Sequence, residues 1–120
     1  MILFIYLLSL LQLLSIGEDI NLLFAGDAMQ HDRQIAAAKR GNVYDYKSCF
    51  QAVEDRVKAA DYAVVNFECT LGGKPYKGYP CFSAPDSYAK ALSEGGFDLF
   101  LHANNHFLDR RDAGLRRTLS

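Results

Sequence analysis

Three short apolar runs, each ending in residues with oxygen or imidazole side chains, constrain this sequence more than any other feature. Ile20 to Ala25 is apolar except for Asn21 and stops at Gly26-Asp27. Tyr62 to Phe67 is the second run and ends in Asn66-Phe67-Glu68. Phe97 to Leu101 is the third and passes into Asn104-Asn105-His106. Runs of this length, bounded by turn-forming residues, read as buried strands. Between them the period changes. Ser48 to Ala60 repeats Phe50, Val53, Val57 and Ala60 at helical spacing, with Glu54, Asp55, Arg56 and Lys58 largely on the other face. Ser48 suits the N-cap of that helix. Leu71 to Pro85 holds Gly72, Gly73, Gly78 and the prolines 75, 80 and 85, and reads as a long loop. Asp86 to Glu94 reads as a helix stopped by Gly95-Gly96, and a last helix starts near Asp109. Strand, helix, strand, helix, strand, helix predicts an α/β fold, with parallel strands alternating with helices.

A chain of 120 residues is enough for one small domain. Charges nearly cancel, to a formal net of -1, which gives no general attraction to nucleic acid or to acidic lipid. Part of the apolar content lies apart from the domain. Met1 to Ile16 is almost unbroken Leu, Ile, Phe and Tyr, relieved by Ser9, Gln12 and Ser15. It falls short of the ~20 residues of a comfortable membrane crossing and suits the apolar region of a secretory signal. Ser15 and Gly17 are small enough for cleavage before Glu18, although no Lys or Arg precedes the run. Residues 1–17 therefore read as a signal peptide or N-terminal anchor, and 20–120 as the domain. The expected location is exported or membrane-anchored, at the cell envelope, with membrane contact only through this segment. Cys49, Cys69 and Cys81 are odd in number and lack Cys-x-x-Cys spacing. Three unpaired thiols are favoured over a Cys69–Cys81 bridge.

In a parallel α/β sheet, ligands bind outside the C-terminal ends of the strands. Those ends here carry Asp27, Asn66, Glu68, Asn104, Asn105 and His106. Two carboxylates, amide oxygens and an imidazole suit Mn, Fe, Zn or Mg. Taken singly, an Asp after a strand is more often a cap or turn former, and Asn-Asn-His a turn. Glu68 is harder to dismiss, because Glu is a poor residue at the end of an apolar strand. Three such ends on one edge tip the balance toward function. Other features carry less. His102 and His106 have the spacing of a helical zinc motif, but Ala103 stands where the general base would be and His102 is at a strand end. Gly72-Gly73-Lys74 lacks the upstream Gly of a phosphate loop and is followed by Pro75. Arg110, Arg111, Arg116 and Arg117 read as a solvated helix face without the interleaved aromatics of a nucleic-acid surface.

At these residues the sequence resembles the bacterial capsule-synthesis CapA (PGA_cap, poly-γ-glutamate) family, itself similar to the calcineurin-like metallophosphoesterases. Three segments carry the resemblance in order: Gly26-Asp27-Ala28-Met29, then Asp61 to Glu68 with Asn66 and Glu68 at its end, then Asn104-Asn105-His106-Phe107-Leu108-Asp109. Phe82-Ser83-Ala84-Pro85 and Gly96-Phe97-Asp98 also look like the family. The resemblance implies a partial metallophosphoesterase-like fold, the N-terminal half of an α/β/β/α sandwich, C-terminally truncated. It implies metal ligands at Asp27, Glu68 (bridging) and Asn105, with His106 facing the phosphate or leaving group. Asn66, Asn104 and Asp109 stand behind them. Divalent metals are implied, two in the complete domain. Met29 occupies the superfamily's histidine position, Arg111 stands where the family often has Gly, and the later histidine motifs do not follow. The implied function is capsule biosynthesis, as a metal-dependent phosphoesterase-like hydrolase if the whole domain is present. The alternatives are a non-catalytic accessory subunit of an envelope polymer machine, or an inactive remnant. The implied partners are membrane-bound capsule or polyglutamate synthase subunits, not nucleic acid.

Because Met1 to Gly17 is apolar all round, with no periodicity that would match a domain core, its removal should leave the fold untouched. A chain starting at Glu18 is expected to give the same circular-dichroism spectrum per residue of domain; collapse of that spectrum would show that the segment packs inside.

Overall fold

The computed structural model describes Gly17 and residues 19–120. The signal or anchor reading of Met1 to Ile16 therefore lies outside the described residues. In chain order the elements are β1 (Leu22–Ala28), α1 (Asp32–Ala38), β2 (Lys39–Arg40), β3 (Val43–Tyr44), a 3-10 turn at Lys47–Cys49, α2 (Gln51–Lys58), β4 (Tyr62–Phe67), α3 (Asp86–Glu94), β5 (Leu99–Leu101) and α4 (Arg111–Thr118). β4 is the centre of a three-stranded sheet of order β1-β4-β5, parallel throughout. β2 and β3 form a separate antiparallel pair. The alternation of parallel strands and helices expected from the sequence is thus the fold.

Three of the elements depart from expectation for identifiable reasons. β1 does not stop at Ala25 but runs on through Gly26 and Asp27 to Ala28, with a register shift between Ala25 and Asp27. A bulge of this kind keeps a strand paired past a residue that would otherwise end it. β5 begins at Leu99 rather than Phe97, because Asp98 ties the preceding backbone down. Its N–H reaches the Ala63 carbonyl at 2.9 Å, and its carboxylate accepts the Ala63 N–H at 2.8 Å. α2 begins at Gln51, after the 3-10 turn that contains Ser48, and its N-cap is Phe50 with no side-chain cap. α1 and the β2–β3 pair were not expected at all. α1 buries only Ile35 and Ala38, too few apolar positions to show a helical period.

The two faces of the sheet differ. Leu23 and Ala25 of β1, Ala63, Val65 and Phe67 of β4 and Phe100 of β5 meet the core. Val57 of α2, Tyr88 and Leu92 of α3, Tyr46, and Phe82 and Ala84 from the Leu71 to Pro85 loop complete it. On the opposite face Leu22, Phe24, Tyr62, Leu99 and Leu101 are exposed, Phe24 at 72%. Apolar area of this kind left to water favours association with another surface.

α4 is tied to α3 and to the loop by arginines, which corrects the reading of the basic run as a purely solvated face. Arg117 donates to both carboxylate oxygens of Asp86, at 2.7 and 2.8 Å, and to the Leu71 carbonyl. The Arg117 hydrogen bond holds the Asp86 carboxyl below the usual carboxylate range. The pair is exposed enough that its net worth is under about 1 kcal/mol. Arg110 lies over Gly72, where a Cβ would come within 2.5 Å of it.

Arg111 opens α4 with φ at +56°, the left-handed region, in which the described residues hold no other non-glycine residue. That conformation costs an L-residue about 1–2 kcal/mol, part of which a glycine returns in unfolded-chain entropy. Arg111→Gly is expected to stabilise the chain by roughly 0.5–1 kcal/mol, read as a higher urea midpoint at unchanged slope. A lower midpoint would mean that the Arg111 side chain contributes more than its backbone costs.

Candidate functional site

The bulge in β1 decides which residues meet at the sheet's C-terminal edge. Up to Ala25, paired opposite Val65, the two strands run in step; after it, Asp27 pairs with Asn66 and Ala28 with Phe67. Neighbours in register share a face of a sheet, and a slip of one residue moves a side chain to the other face. The extra residue, Gly26, therefore puts Asp27 on the face of Asn66 and returns Ala28 to the core beside Phe67. Glu68 follows Asn66 by two, so strand alternation gives it the same face.

The Asn66 amide joins the carboxylates. Its Nδ2 donates to Asp27 Oδ1 at 2.7 Å and to Glu68 Oε2 at 2.8 Å. Both hydrogens of one NH2 are used, so the two carboxylates stand side by side. The remaining amide oxygen accepts from Asn104 Nδ2 at 3.1 Å, which also donates to the Phe67 carbonyl at 3.1 Å. Asn104 Oδ1 in turn accepts the His106 N–H at 3.0 Å. A continuous network thus runs from β1 through β4 to the segment after β5.

His106 is oriented from its other side. Asp109 Oδ2 accepts from His106 Nδ1–H at 2.8 Å and from the Phe82 N–H at 2.7 Å. The two side chains of the His106–Asp109 pair are 12% and 11% exposed, so water screens their interaction little. With Nδ1 engaged by Asp109, Nε2 is the ring nitrogen left for another partner. The ring stands edge-on to Phe82, centroids 4.6 Å apart, and Phe82 is fully buried. The glycine- and proline-rich loop is therefore part of this edge. Lys77 and Ser83 exchange backbone hydrogen bonds across it, and Thr70 Oγ1 donates to the Phe82 carbonyl at 2.7 Å.

The structure brings together Asp27, Asn66, Glu68, Asn104, His106 and Asp109. Asn105 is exposed and, among the described residues, no hydrogen bond ties it to the network. His102 turns elsewhere: its ring packs on Phe67 with centroids 5.2 Å apart, and burial lowers its pKa, so it does not share partners with His106. Met29 packs against the core. The three cysteines are free, Cys69 buried and Cys49 and Cys81 exposed. Sequence reasoning missed Phe82 as a contact of His106. It also missed His31, whose ring meets the same Phe82 ring at 5.2 Å.

The donor set bears on whether a cation suits this edge. Asp27 and Glu68 are hard oxygen donors, as Mn, Mg and Zn accept, and no Lys, Arg or His is ion-paired with either among the described residues. The fit extends to part of a coordination shell: among the described residues no three His, Cys, Asp or Glu side chains gather as a metal-holding group.

Fold and edge define a mixed α/β protein whose reactive groups collect where the parallel strands end. Residues 21–120 match the family described as bacterial capsule synthesis protein PGA_cap, and the chain belongs to that family. Membership ties it to capsule synthesis and so to the cell envelope, and places it in the metallophosphoesterase superfamily. Searches of curated proteins and of solved structures each returned no match.

The adjacent asparagines should behave differently. Asn104→Ala removes three hydrogen bonds in a half-buried place and is expected to cost about 2 kcal/mol of unfolding free energy. Asn105→Ala should stay within about 0.5 kcal/mol. Urea denaturation of the two variants checks this; equal losses would mean that the network does not discriminate between them.

Proposed function

We propose that this chain is a poly-γ-glutamate-type capsule-synthesis protein whose C-terminal sheet edge holds a divalent cation and handles a phosphoryl group. The carrying observation is the Asn66 amide, which holds the Asp27 and Glu68 carboxylates side by side, neither of them ion-paired with a Lys, Arg or His among the described residues. In this reading Asp27 and Glu68 are the ligands, with Glu68 placed to serve two cations and Asn105 adding an amide oxygen. A bound Mn, Fe, Zn or Mg ion would supply Lewis acidity toward a phosphoryl oxygen and a more acidic bound water. The protein's own groups do the rest. Asn66 fixes the carboxylate pair, and Asn104 holds the backbone of His106. Asp109 keeps the Nδ1 proton, so Nε2 of His106 is the nitrogen that faces the phosphoryl or leaving group. Membrane-bound capsule or polyglutamate synthase subunits are the proposed partners, and export or anchoring through Met1 to Gly17 the proposed route.

A second reading is a non-catalytic accessory subunit, or an inactive remnant. It is favoured by Met29, which lies in the core where the superfamily pattern has a histidine, and by the two-carboxylate donor set. A hydrolase of this class needs each cation held by several ligands with a position open for water.

Weak Mn binding to the full chain, lost in Glu68→Ala, is expected, together with little or no turnover of a generic phosphodiester. Titration calorimetry and a chromogenic assay with Mn, Fe and Zn read the two parts. Turnover that disappears in Glu68→Ala would establish the hydrolase over the accessory reading, and no Mn binding at all would remove the cation from both.

A further inference from the structure

Two imidazoles, not one, pack against the buried Phe82 ring. His106 meets it at 4.6 Å and His31 at 5.2 Å, both edge-on. His31 follows Asp27 by four residues, in the turn that leaves β1 and opens α1, so it lies at the same sheet edge as the carboxylates. Its side chain is exposed, yet its backbone N–H and carbonyl are both hydrogen-bonded. The His31 N–H donates to Gln34 Oε1 at 2.7 Å. Asp32 Oδ1 accepts the Gly78 N–H at 2.7 Å. Gly78 is packed so closely there that a Cβ on it would come within 2.8 Å of His31 Cα. An exposed ring on an immobilised backbone is what ligand recognition needs, since little conformational entropy remains to be lost on binding.

We propose that His31 is a second imidazole of this site, a specificity-determining residue that hydrogen-bonds a tetrahedral oxyanion whose other side faces His106. The inference rests on the reading of the edge as a cation and phosphoryl site, and adds to it the group that recognises the anion. Phe82 is the shared support: it is fully buried, fixed by hydrogen bonds from its N–H to Asp109 and from Thr70 to its carbonyl, and both imidazoles pack on it. The oxyanion oxygens would accept from the ring N–H of His31, a charge-assisted bond of the kind that fixes phosphoryl groups. Neither Asp27 nor Glu68 can offer that contact, because an ionised carboxylate has no proton to donate.

The test uses the full chain in Mg-containing buffer, with inorganic phosphate as the probe and two-dimensional imidazole spectra as the readout. The three histidines give separable rings. Phosphate should shift His31 and His106 together and leave His102 in place. His31→Gln and His31→Phe should each weaken phosphate binding about tenfold, the worth of one charge-assisted hydrogen bond, with Mg affinity unchanged. His31→Phe keeps a ring against Phe82, so it removes recognition without removing packing. Phosphate affinity in His31→Phe equal to that of the unaltered chain would overturn the proposal, as would a His106 shift with His31 still. Phosphate and Mg affinities falling together would also overturn it, in favour of a general defect of the edge. Glu68→Ala that leaves Mg and phosphate binding intact would instead remove the underlying cation site, and this proposal with it.

Discussion

Two carboxylates brought to one edge repel each other unless something stands between them, and here that something is one amide. Asn66 lies on the middle strand, so both of its neighbours in the sheet are within reach. Its NH2 has two hydrogens and spends one on each carboxylate, while its oxygen takes up Asn104. An aspartate at this place would add a third negative charge, and a leucine would leave the pair unbridged. The remaining geometry follows from this anchor. Asn104 is held by it and holds His106, and His106 shares Asp109 with the loop. The edge is therefore a cooperative network rather than a set of residues that happen to be near each other, and such networks are sensitive to any missing member.

How much of this could be read from the sequence depended on whether the signal was local. β4 and α3 have the bounds the sequence suggests, because a continuous apolar run and a helical period closed by Gly95-Gly96 are written in consecutive residues. The residues gathering at the edge were also legible, since Asp27, Asn66, Glu68, Asn104 and His106 stand at or just after the ends of the apolar runs. The end of β1 was not. Gly26-Asp27 looks like a stop, and only pairing with β4 turns it into a bulge. α1 has too short an apolar repeat to show. Asn66, Asn104 and Asp109 could be placed behind the ligands by family resemblance, but that Asn66 bridges the two carboxylates is a fact of three-dimensional contact. The same holds for Phe82 and His31, which are far apart in the chain and meet only because the Gly78 backbone closes onto His31.

The Leu71 to Pro85 segment is a loop by secondary structure and core by burial. Phe82, Ser83 and Ala84 are buried, and Phe82 carries both imidazoles. Its position is fixed by side-chain-to-backbone bonds involving Thr70, Ser83 and Asp109 and by the isolated Lys77–Ser83 backbone bridge rather than by an extended ladder. Irregular backbone is used where it must be shaped around a site, and its polar groups are satisfied one at a time. The opposite sheet face shows the contrast. It is apolar and exposed apart from the buried Val64, and the polar edge begins where that face ends, at Asn66 and Leu101.

Gly26 has a consequence that its chemistry alone would not suggest. Nothing lies within 4 Å of where its Cβ would be, so the position has room for a side chain. Gly26 stands outside the ladder, so Asp27 falls beside Asn66; paired with Asn66 as a regular strand residue, Gly26 would push Asp27 opposite Phe67 and into the core, and Ala28 out of it. The site is therefore indifferent to the side chain at this point and dependent on that residue staying out of the ladder. Among relatives the residue at position 26 should vary freely, and a strand lacking it would still set Asp27 opposite Asn66, so what is constrained is the register beyond the bulge and not the residue within it.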